Sequence, residues 1–81
     1  MKASYMSYNL DLTIVFERDD DGSVLARCIK LGTASCGATR EEALGNVQEA
    51  IDEHATALVE EGLLEKTLSE RGYGIRTWYR N

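Results

Sequence analysis

The sequence predicts an α+β domain in the order β-β-β-α-α-β: a three-stranded antiparallel meander and a C-terminal edge strand, packed on one long and one short helix. Two patterns predict it. Residues 10–17 alternate apolar and polar at the period of a strand, and residues 43–59 repeat apolar side chains at the spacing of a helix. Length supplies the third observation, since 81 residues hold a single domain, here with its core over about 8–80 and residues 1–7 as a flexible lead-in. Hydrophobic residues at 43% and charged residues at 28% belong to a folded soluble chain and not to a disordered tail.

In LDLTIVFE, Leu10, Leu12, Ile14 and Phe16 share one face, and Asp11, Thr13, Val15 and Glu17 the other. With Thr, Ile and Val in the run, this is a strand with one buried face. Asp19, Asp20, Asp21 and Gly22 then supply turn chemistry, because Asp bonds its own backbone and Gly tolerates positive φ. The second strand, 23–30, leaves its inward face open: either Val24, Ala26 and Cys28 point inward, or Leu25 and Ile29 do. Lys30-Leu31-Gly32 turns the chain into a short third strand near 33–36.

Thr39 and Glu42 have the spacing of a capping box, the hydroxyl accepting from the amide three residues on while the glutamate reaches back. Behind them Ala43, Leu44, Val47, Ala50, Ile51, Ala55, Leu58 and Val59 form an apolar stripe on a helix over about 40–61, which Gly62 ends. A shorter helix, 63–71, sets Leu63, Leu64, Thr67 and Leu68 on one side and stops at Gly72. Residues 74–80 alternate again, giving a last strand or a strand that forms only when something pairs with it.

The net charge of −5 is unevenly distributed. Residues 38–72 carry three basic and nine acidic groups, while 1–37 carry four and five. An acidic chain is a poor match for nucleic acid held through phosphates and a better one for a basic protein. Glu41, Glu49, Asp52, Glu53 and Glu60, on the helix side away from the apolar stripe, are either a simply solvated face or a landing surface for a basic protein. No apolar run approaches the roughly 18–20 residues of a membrane span, and the N-terminus lacks a signal-peptide core, so the expected setting is cytoplasmic.

Residues able to carry chemistry are few. The Asp19–Asp21 run lacks the alternating ligands and distal Glu of a calcium loop and reads as a solvated turn. Asp11 and Glu17 lie on the outer face of the first strand, and no inward carboxylate is evident. Catalysis, cofactor and metal are therefore not expected. His54, the one histidine, falls at the edge of the apolar stripe and reads as packed against the sheet rim. If Gly32 centres the hairpin, Cys28 lies directly opposite Cys36; the two are either small apolar residues under the helix or a redox-switchable cross-strand pair. Arg76, Trp78 and Arg80 interleave basic and aromatic side chains on the last strand, a pattern that favours an oligomer contact over nucleic-acid stacking.

The run Gly37-x-Thr39-x-Glu41-Glu42-Ala43-Leu44-x-Asn46, with the ERDDDG turn and Leu31-Gly32 before it, resembles the HicB family, the antitoxins of HicA–HicB toxin–antitoxin pairs. The similarity covers about residues 8–72 and is most specific over 37–46. It implies a partial ribonuclease-H-like fold and a non-catalytic protein that blocks a small basic RNA-cleaving toxin by covering it. A homodimer or higher homo-oligomer is expected. The chain departs from the family pattern in having no proline and in placing Thr33 where a cysteine is usual. Only nine residues follow Gly72, so the resemblance is to a single-domain member without a DNA-binding module. The alternative is a stand-alone HicB-like oligomeric module, structural or regulatory, with no toxin partner.

Overall fold

The structure, a computed structural model, describes residues 2–5, 8–73 and 78–80. Among these described residues, six strands and two helices follow in the order β1 (Lys2–Tyr5), β2 (Tyr8–Asp11), β3 (Ile14–Arg18), β4 (Val24–Cys28), β5 (Thr33–Gly37), α1 (Arg40–Glu60), α2 (Leu64–Glu70) and β6 (Trp78–Arg80). They build two antiparallel sheets of three strands, ordered β1-β2-β6 and β3-β4-β5. The expected meander is the second sheet, and the C-terminal strand is an edge of the first.

Two differences from the sequence reading stand out. Residues 2–5, expected as a flexible lead-in, form β1 and pair with β2 from Lys2–Asp11 to Tyr5–Tyr8, and Tyr5 joins the core. The strand expected over 10–17 is divided at Leu12 and Thr13, because its first half pairs with β1 and β6 while its second half pairs with β4. The alternation survives the break. Leu10 and Leu12 are buried, Ile14 and Phe16 half-buried, and Asp11, Thr13, Val15 and Glu17 face out. Side-chain period depends on local extension, whereas ladder partners depend on what lies alongside.

In β4 the inward residues are Val24, Ala26 and Cys28. The turn before it closes through Asp19 O, which accepts from Gly22 N at 3.0 Å, and Asp21, whose carboxylate accepts from Ser23 N at 2.9 Å and Ser23 Oγ at 2.7 Å. Those bonds, the backbone one first, hold the exposed Asp21 carboxyl below its ordinary range.

Thr39 Oγ1 accepts from Glu42 N at 3.1 Å and so caps α1. The reciprocal half of the box is displaced by one residue: the Glu42 carboxylate accepts from Ala38 N, at 3.4 Å, and not from Thr39 N. Ala43, Val47, Ile51 and Ala55 are fully buried along one stripe of α1, which lies over β4 and β5. Both helices end in the same paired bonds: Gly62 N to Val59 O with Leu63 N to Leu58 O, and Gly72 N to Ser69 O with Tyr73 N to Leu68 O. That geometry places Leu63 before α2, 39% exposed, whereas the sequence pattern assigned it to the apolar side; Leu64 and Leu68 alone are buried there.

Candidate binding surface

At about 100° per residue, Glu41, Glu49, Asp52, Glu53 and Glu60 fall within an arc of roughly 120° on α1. All five are exposed. The reason is the stripe on the other side: once Ala43, Val47, Ile51 and Ala55 dock on the sheet, this arc must face solvent. Among the described residues, Glu41, Glu49, Glu53 and Glu60 make neither a hydrogen bond nor an ion pair.

Of the described basic side chains, all but Lys2 are engaged elsewhere. Arg27 meets Glu17 at 3.5 Å and Lys66 meets Glu70 at 3.9 Å. Arg40 lies 4.4 Å from the centroid of the Phe16 ring, and Arg71 donates to Ile29 O at 2.9 Å. Lys30 donates to Asp11 O, and Arg18 to Gly22 O at 3.3 Å. Among the described residues, then, no cation pairs with Glu41, Glu49, Glu53 or Glu60. Glu60 adds a local cost, since it sits in the last turn, at the negative end of the helix dipole, with no basic residue beside it.

Asp52 differs from its four neighbours. Its Oδ1 accepts from the Tyr5 hydroxyl at 2.7 Å, tying β1 to α1. Tyr8 does the same for α2, donating to Glu65 Oε1 at 2.6 Å. Burial first, then the Asp52 hydrogen bond and charge, pushes the Tyr5 phenol well above the usual tyrosine range. The folded phenol thus ionises later than the unfolded one. Its contribution to stability is complete below about pH 10 and is lost as pH rises beyond that value. Tyr5→Phe is expected to cost about 1 kcal/mol at neutral pH and to flatten the alkaline loss, read as urea midpoints at neutral pH and above pH 10. Parallel loss in both proteins above pH 10 would remove this bond as the cause.

No local pattern announces these two tyrosine–carboxylate bonds, which join residues 47 and 57 positions apart. Beside the first of them, β1 and α1 enclose an open depression of about 360 Å³ lined by Lys2, Ala3, Ser4, Tyr5, Gln48 and Asp52. The weak alternation of Ala3 and Tyr5 against Lys2 and Ser4 was the available signal for β1.

The other candidate residues do not come together. His54 Nδ1 lies 2.8 Å from Thr33 Oγ1, half-buried at the sheet rim. Cys28 and Cys36 are not opposite one another. The β4–β5 loop spans residues 29–32, closed by Gly32 N to Cys28 O at 3.0 Å, so Cys28 pairs with Thr33 and Cys36 with Leu25. Cys28 is buried on the helix side, while Cys36 is exposed on the outer face. In the native protein, an alkylating reagent is expected to add to Cys36 alone, with Cys28 reacting only on unfolding. A prompt double addition by intact mass would contradict that burial. In the last strand, Trp78 pairs with Leu10 and Arg80 with Tyr8, whereas Arg76 lies outside the described residues. Among the described residues no group of three or more His, Cys, Asp or Glu side chains is placed to hold a metal, and no helix is long and apolar enough to cross a membrane.

Fold and surface together define a small α+β protein with an acidic helical face. Residues 1–75 match the family DUF7387, described as a family of unknown function, and the chain belongs to it. No curated protein and no solved structure is significantly similar to the chain.

Proposed function

We propose that this protein is a HicB-like, antitoxin-type binding protein that neutralises a small basic RNA-cleaving toxin by steric occlusion, with α1 as the landing surface. The observation that carries this reading is the acidic arc of α1, whose glutamates have no ion-pair partner among the described residues and which includes Glu60 at a position where the helix itself would favour a cation. Acidic residues kept at a local cost in stability point to a role outside the fold. The order of the meander, the capped helix and the Gly37–Asn46 run supports the family resemblance. In this reading the protein acts without catalysis, cofactor or metal. It binds the basic face of the toxin, speeds encounter electrostatically, and excludes RNA from the cleft it covers.

A pull-down with the tagged chain from native-host lysate, at low and high salt, tests the reading. It expects a stoichiometric small basic protein whose RNA cleavage stops when the chain is added, with recovery falling as salt screens the contact. Recovery of the chain alone would overturn it. That outcome would favour the second reading, a stand-alone oligomeric module, for which β6 at the edge of its sheet is the supporting feature.

A further inference from the structure

Sheet edges are where a second chain can add a strand, and the edges of this protein are not equally open. The edge at β5 is partly closed by α1, since Asn46 Nδ2 donates to Cys36 O at 2.8 Å. β1 is different. Among the described residues it is the outermost strand of its sheet and pairs with β2 alone, and alternate residues of such a strand turn their N–H and C=O away from the partner. Beside this strand lies the depression of about 360 Å³, lined by Lys2, Ala3, Ser4 and Tyr5 of β1 and by Gln48 and Asp52 of α1.

The charge of the α1 side is set by helical spacing. Glu41, Gly45, Gln48 and Asp52 follow one another at four, three and four residues and so form one flank of α1. Asp52 uses Oδ1 for Tyr5, and Glu41 makes no hydrogen bond or ion pair among the described residues. Lys2 stands at the opposite end of β1. We propose that the edge of β1 and this flank of α1 form a strand-acceptor groove, which takes an extended segment of the partner carrying lysine or arginine. The segment adds to β1 through main-chain hydrogen bonds and places a cation against Asp52. This deepens the binding-protein reading and takes from it the partner's positive charge. A second copy of this chain is the poorer occupant. It would bring its own Glu41 and Asp52, within a net charge of −5, to an edge only four residues long.

The test uses the full chain, isotope-labelled, titrated with a short peptide of alternating lysine and valine and followed by amide shifts. Shifts concentrated on Lys2–Tyr5, Gln48 and Asp52 are expected. The same peptide methylated on alternate amides cannot pair and is expected to bind at least about tenfold more weakly. Asp52→Asn keeps an acceptor for Tyr5 while removing the charge, and is expected to weaken binding about threefold to fivefold. Equal binding of the methylated peptide, shifts confined to Glu49, Glu53 and Glu60, or no shifts at all would overturn the groove. So would self-association through β1 in the absence of peptide. The two proposals fail separately. A toxin captured while the β1 amides stay unperturbed would leave the antitoxin reading and remove the groove; peptide bound at β1 with no toxin in the lysate would do the reverse.

Discussion

Reversing Glu49, Glu53 and Glu60 to lysine together is expected to abolish capture of the basic partner while leaving the fold intact. Each reversal changes the charge by two, which takes the chain from −5 to +1 and turns the acidic arc basic. Electrostatic steering supports association rates by about 10–10³-fold, and here it becomes repulsion, so the loss should fall mainly on the association rate and shrink with added salt. None of the three side chains makes a hydrogen bond or ion pair among the described residues, so the described fold loses no polar contact. Stability should stay within about 0.5 kcal/mol of the parent or rise, because lysine at position 60 suits the negative end of the helix dipole. Stopped-flow association with the captured partner, beside urea denaturation, separates the two effects. Unchanged association in a folded variant would sink the assignment of this face. Asp52 is left out of the set because its bond to Tyr5 belongs to the fold.

The second large effect is expected at the junction of β5 and α1. A Cβ added at Gly37 would lie 2.6 Å from Ala43 N and 2.9 Å from both the carbonyl carbon and Cβ of Glu42. The closest of these atoms are backbone of the first turn of α1, which is fixed by Ala43 N donating to Thr39 O at 2.9 Å and by the Thr39 cap. They cannot move aside without lifting the helix start from the sheet. Gly37→Ala is therefore expected to cost about 2–3 kcal/mol, a large share of the roughly 4–12 kcal/mol available to a domain of this size. The readout is a lower urea midpoint at unchanged slope. A cost under about 0.5 kcal/mol would show that the contact relaxes freely. The requirement for glycine at position 37 is close approach, with no left-handed backbone required.

Gly37 shows how far local signals reach. Those that concern neighbours in sequence were legible: the alternation of 10–17, the Thr39 cap, the 43–55 stripe, the helix ends at Gly62 and Gly72, and the acidic arc left opposite the stripe. Each follows from strand or helix periodicity, or from bonds closed within a few residues. What could not be read were choices between partners. The inward face of β4 and the register that separates Cys28 from Cys36 depend on the 29–32 loop, and a different loop length would have exchanged the faces. The division of the long strand between two sheets needed β1 and β6, which lie at opposite ends of the chain.

The sequence by itself determined the class of the domain, its long helix and the segregation of its charge, because these arise from propensity, periodicity and composition. Only the tertiary structure decided that residues 2–5 are a strand, that Tyr5 fastens them to Asp52, and that an open edge lies beside an acidic flank of α1. The Tyr5–Asp52 bond joins residues 47 positions apart, and a contact of that span is chosen by what else packs around it, not by the local chain.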